Sequence, residues 1–121
     1  MLNLDTHILI HALAGSLRQA EQVKLSRSNW GISSIVLWEL AKLTQLGRIE
    51  IDLEDPQVMR ALSRIHVWPI DLEVARTSTR LDFAGDPADE LIAATSVVHR
   101  VPLMTRDKEI RNSRLVPLAI R

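Results

Sequence analysis

Short apolar runs alternate with longer segments in which apolar residues recur every three or four positions, and this alternation organises the whole chain. Leu2 to Leu4 reads as a first strand, followed by a helix from Thr6 to Leu13 that Gly15 stops. A second helix is expected over Leu17 to Leu25, and Trp30-Gly31-Ile32-Ser33 forms a second strand. The next helix, Ile35 to Leu46, carries apolar residues at 36, 37, 40, 43 and 46, with Ser34 as its N-cap and Gly47 just past its end. Asp55-Pro56 opens a helix to Ile65. Val67 to Ile70 is the third strand, and Pro69 favours an edge position because proline cannot donate to a ladder. A helix from Leu72 to Leu81 follows, then the loop Asp82-Phe83-Ala84-Gly85. Asp86-Pro87 opens a helix to His99, Leu103 to Thr105 is the fourth strand, a short helix starts near Asp107, and Leu115 to Ile120 is expected as a last strand.

Strands alternating with helices predict an α/β domain with a mostly parallel sheet, one domain over residues 1–121. The helix from Asp89 onward is apolar on more than one face, so it belongs deep against the sheet or at a subunit contact.

Composition narrows the chemistry. With 46% hydrophobic residues the chain can bury a core. It has no cysteine, which removes disulfides, thiolate metal sites and cysteine nucleophiles. The i, i+4 pair His7 and His11 suggests zinc, but no His-Glu-x-x-His pattern supports it. Fifteen basic and 15 acidic residues cancel, so no broad basic face announces a nucleic-acid partner. Twelve of the basic residues are Arg, which suits bidentate phosphate contacts. No apolar run is long enough for a membrane span and no signal peptide is evident, so a cytoplasmic protein is expected.

Four carboxylates stand where a parallel sheet gathers ligands, beyond the carboxyl ends of its strands. Asp5 follows the first strand and Asp107 the fourth; if these strands are neighbours, both face one crevice. Glu39 lies in the second turn of the helix after the second strand, and Asp89 in the first turn of the helix before the fourth. Two charges about 4 Å apart repel by roughly 4 kcal/mol at an effective dielectric near 20, so a fold that gathers four acids needs a cation or protonates some of them. All-oxygen ligands select hard ions, Mg²⁺ or Mn²⁺, and phosphodiester hydrolysis uses what such an ion supplies. Each acid also has a plainer reading. Asp5 and Asp107 suit helix caps, Glu39 suits a solvated helix face, and Asp86-Pro87-Ala88-Asp89 suits a helix start. Order, spacing and strand-end placement together favour the site.

The segments Leu2-Asn3-Leu4-Asp5-Thr6-His7, Leu37-Trp38-Glu39-Leu40-Ala41-Lys42 with Leu46-Gly47-Arg48-Ile49, Asp86-Pro87-Ala88-Asp89-Glu90-Leu91-Ile92-Ala93-Ala94-Thr95 and Leu103-Met104-Thr105-Arg106-Asp107 occur in an order that resembles the PIN-domain nucleases. Within them it is similar to the toxins of VapBC-type toxin–antitoxin pairs. That resemblance implies a three-layer α/β/α fold, endonucleolytic RNA cleavage, an antitoxin partner, and metal-binding roles for Asp5, Glu39, Asp89 and Asp107, with Thr105 beside the last acid. Glu90 departs from it, standing where close relatives often carry Arg. On this reading Asp5 and Asp89 hold the ion most directly, Asp107 completes the site and Glu39 activates water. Arg106 and Lys108 flank the pocket, as phosphate contacts or as solvated charges. A homodimer is expected, with a protein inhibitor in an apolar groove near the site, because Ile8-Leu9-Ile10 and Ile35-Val36-Leu37-Trp38 offer much apolar surface; Trp38 has the alternative of packing in the core. Two other classes compete: a PIN-fold binding module without turnover, and a receiver-type phosphoacceptor, which would need an Asp at a middle strand end and a Lys at a late one.

Overall fold

The computed structural model describes all residues from Met1 to Arg121. Four strands, β1 (Leu2–Leu4), β2 (Trp30–Ser33), β3 (His66–Trp68) and β4 (Leu103–Met104), form one sheet in the order β3-β2-β1-β4. Every pairing is parallel. The helices are α1 (Thr6–Ala14), α2 (Gln19–Ser26), α3 (Ser34–Gln45), α4 (Pro56–Ser63), α5 (Leu72–Ser78), α6 (Pro87–His99) and α7 (Lys108–Arg111). Leu2, Asn3 and Leu4 are all buried although successive side chains point to opposite faces, so both faces of the sheet are covered and the architecture is three-layered.

The connection from β1 leads to β2 on one side, while β4 arrives on the other after the chain has left β3 at the far edge. The chain therefore reverses direction beside β1 and β4, the place where open parallel sheets bind ligands. Asp5 leaves β1 and Asp107 follows β4 at this point.

α6 settles its own ambiguity. Ile92 to Ser96 are buried, and the helix packs against α5, α3, β1 and β2. Asn3, itself fully buried, donates to the Ile92 carbonyl at 3.0 Å and to the Ser96 hydroxyl at 2.9 Å. These bonds fix the rotation of α6 over β1, and hence where Asp89, one turn before Ile92, is aimed. The Trp68 ring lies across Gly31 and stacks with His99 at 5.6 Å between centroids. A Cβ on Gly31 would meet the ring at 2.4 Å. Gly31→Ala is therefore expected to lower stability by about 2 kcal/mol through overpacking. Urea unfolding measures this, and an unchanged midpoint would show that Trp68 can move aside.

Several boundaries differ from the sequence reading. Ser33 rather than Ser34 caps α3, its hydroxyl accepting from Ile35 N–H. α2 starts two residues late, and α5 ends at Ser78 rather than Leu81. Leu115 to Ile120 does not form a strand. It makes a single parallel bridge, Leu118 to Leu103, because β4 itself is only two residues long and offers no longer edge to pair with. Ile8 and Leu9 lie fully in the core and Ile10 packs against it, so that run supplies no interface. Trp38 does the opposite and is 57% exposed on α3.

Candidate functional site

Asp5, Glu39, Asp89 and Asp107 converge as expected, lining one open cavity of about 470 Å³. No apolar residue contributes to its lining. A fifth acid, Asp86, joins them. Sequence reasoning assigned Asp86 to a helix cap; its backbone does occupy the N-cap position, but its side chain makes no capping bond. The available signal was the three-residue spacing to Asp89, which puts both acids over the first turn of one helix.

Two of the acids cap helices and line the cavity as well. Asp5 caps α1, its Oδ1 accepting from Ile8 N–H at 2.8 Å, and Asp107 caps α7, accepting from Ile110 N–H at 3.1 Å. A carboxylate has two oxygens, so a cap fixes the group and leaves acceptor capacity for the cavity. Thr105 stands beside Asp107, its hydroxyl accepting from Asp107 N–H at 3.1 Å. Glu39 is positioned across helices by the Thr6 hydroxyl, which donates to its Oε1.

The crowding has an electrostatic consequence. Burial, followed by the charges of Asp107, Glu39, Asp86 and Asp5, pushes the Asp89 carboxyl up to about 6. Burial also raises Asp5, offset in part by hydrogen bonds from Thr105 and Ile8 and by the nearby His7. The protein therefore holds negative charge together against its preference, which is what a cation site requires. No three His, Asp or Glu side chains stand close enough to ligate one ion directly. The acids offer only oxygen donors, the kind of ligand that hard divalent cations take.

The zinc pairing of His7 and His11 is not formed. Both face the cavity, but His11 has its Nδ1 on Ser16 at 2.7 Å and its Nε2 on Arg106 at 3.1 Å. Arg106 is itself held by Glu21 in a bidentate pair, 2.8 and 2.6 Å, that sequence reasoning missed. Glu21 sits on α2, 85 residues earlier, and no local pattern announces the partnership. Its other role is local: Oε1 accepts from Arg18 N–H at 2.8 Å at the start of α2. Hydrogen bonds from Arg106 hold the Glu21 carboxyl down at about 2.

The PIN-domain family model matches residues 3–114, and the chain belongs to that family. Among curated proteins it is similar to Ribonuclease VapC22 of Mycobacterium tuberculosis (strain ATCC 25618 / H37Rv), 29% identical over 125 residues covering 92% of this chain and 90% of that one. Its fold resembles a chain of a toxin–antitoxin complex from Klebsiella pneumoniae, with a TM-score of 0.72 and 24% identity over 93% of this chain and 92% of that one. It also resembles a chain of VapBC2 from Rickettsia felis bound to a promoter DNA fragment, TM-score 0.72 and 21% identity over 98% and 97% of the two chains. The receiver-type alternative falls with this fold. Asp71 follows the edge strand β3 and caps α5 through Val74 N–H, far from the β1/β4 reversal.

Proposed function

We propose that this chain is a divalent-metal-dependent endoribonuclease, the toxin of a type II toxin–antitoxin pair, working in the cytoplasm with Mg²⁺ or Mn²⁺. One observation carries the reading: five carboxylates line a single cavity at the β1/β4 reversal, and burial and mutual repulsion raise Asp89 to about 6. The family membership and the likeness to a VapC ribonuclease support it.

In this mechanism Asp5 and Asp89 would hold the ion, with Asp107 beside them in the same cavity. A hard divalent ion supplies Lewis acidity to a phosphodiester and to a water. Glu39 accepts the proton of the attacking water, and the bond from Thr6 keeps its carboxylate aimed at the cavity. Thr105 helps to place Asp107 through the bond from its backbone N–H. Cleavage of mixed single-stranded RNA should require Mg²⁺ or Mn²⁺ and stop in EDTA. Undiminished cleavage by protein shown to be metal-free would refute the proposal.

The exposed surface supports a reading of the partners. Leu37 and Trp38 on α3 and Leu46 at its C-terminal cap are 40%, 57% and 60% exposed, and Trp38 adjoins Glu39. We assign this face to an antitoxin whose apolar segment covers α3 and closes the site beside it, within a homodimeric toxin. A catalytically silent PIN module is the remaining alternative, and the same cleavage assay decides between them.

A further inference from the structure

A second cavity, about 390 Å³, lies on the other side of Arg106 from the acidic one. Its character is opposite. Arg18, Arg106, Lys108 and Arg111 line it, and Glu21 is the only acid. Of these cations only Arg106 is paired with a carboxylate. Arg111 donates to the Ile120 carbonyl at 2.8 Å, which fixes the side chain without cancelling its charge. Arg18 and Lys108 are exposed and have no acidic partner. The lining thus carries four positive charges against one negative, in a chain whose net charge is zero. The eight-residue α2 also opens here, with Ala20 in the wall, so its positive end adds to the same field.

We propose that this cavity is a phosphate subsite, which holds a backbone phosphate of single-stranded RNA adjoining the phosphodiester in the acidic cavity. The inference rests on the ribonuclease reading and extends it to how the strand is held. Acids that gather a metal also repel the rest of a polyanion, so a strand entering the acidic cavity needs compensating charge close by. The two cavities share Arg106 as a wall, and Glu21 and His11 fix that guanidinium between them. Arg106 therefore acts as a rigid divider, while Arg18, Lys108 and Arg111 supply the free positive charge. A contact of this kind is indifferent to base identity and sets where along the strand the scissile bond falls.

The test uses full-length protein with Asp89→Asn, so that RNA survives the measurement, and a short fluorescent single-stranded RNA at fixed Mg²⁺. Arg18→Glu with Lys108→Glu should weaken binding at least about tenfold and lower the slope of log affinity against log salt by about 0.7 for each phosphate no longer neutralised. Methylphosphonate replacement, one phosphate at a time, should find one position that weakens binding to the parent protein and not to the double variant. Unchanged affinity and slope in the double variant would overturn the subsite and leave the nuclease reading standing. So would loss of a co-expressed protein partner with RNA binding intact, which would make the cavity a protein contact. Conversely, a wild-type protein that binds RNA through this cavity but never cleaves it would overturn the reading of the acidic cavity and keep the subsite.

Discussion

Asp89→Asn should abolish RNA cleavage and, in metal-free protein at neutral pH, make the fold more stable. Loss of groups that merely orient a ligand costs about 10–100-fold, so loss of a carboxylate proposed to hold the ion should cost at least about a hundredfold. The stability gain follows from the raised carboxyl. The folded protein binds this proton more tightly than the unfolded chain, since the value moves from 3.8 to about 6. Folding is therefore favoured while the group is protonated. Stability is lost as pH rises from near 4 through 6, and the penalty is complete above that. A shift of this size corresponds to about 3 kcal/mol at 1.36 kcal/mol per unit, and solvent in the open cavity reduces the figure to roughly 1 kcal/mol. Asparagine carries no charge at any pH. The variant should thus melt roughly 4 °C above wild type at pH 7 without metal, and equal to it at pH 4. Added Mg²⁺ should reverse the order, because only the wild type gains binding energy. Asp5→Asn should lose activity similarly and keep its fold, since asparagine caps a helix about as well as aspartate. More than a tenth of wild-type cleavage in either variant, or a melting difference that ignores pH, would sink these assignments.

Arg106→Ala should destabilise the protein by about 3 kcal/mol, because it strands a buried charge. Glu21 has a side chain only 6% exposed, against 25% for Arg106. With its partner gone, the carboxylate keeps the Arg18 N–H but loses both guanidinium bonds. Glu21→Gln in the Arg106→Ala background should recover more than half of the loss, since the amide is neutral and its oxygen still accepts from Arg18 N–H. The pH dependence of the intact pair has the opposite sign to that of Asp89. Glu21 is lowered from 4.5 to about 2, so its contribution is present above 4.5 and disappears as pH falls through 2. Urea unfolding of the two single variants and the double variant gives the coupling. Arg106→Ala within about 0.5 kcal/mol of wild type would mean that Glu21 finds water on its own.

Asp89 and Glu21 were differently visible in the sequence. Asp89 was legible because its signals are local: proline at the first helical position, acids in the first turn, an apolar run after them. The order of elements was legible for the same reason, since hydrophobic period and caps are read within a few residues. So were the four acids, because a parallel sheet presents the residues that follow its strands at one edge.

What the sequence left open was decided by contacts between distant segments. The strand order set Asp5 beside Asp107, for only the pairing of β1 with β4 makes the two strand ends neighbours. Asn3 fixed the rotation of α6 from 89 residues away and turned a cap residue, Asp86, into a fifth acid of the cavity. Glu21 took Arg106 from 85 residues away and made it a divider between an acidic cavity and a basic one. Trp38 was placed outside the core while Ile8 and Leu9 went into it, though all three are apolar residues on helices. The physical reason is common to these cases. Local sequence determines which backbone conformation is cheapest, but the side to which a charge or a ring turns depends on which partner comes within about 3 to 4 Å, and only the closed chain supplies that partner.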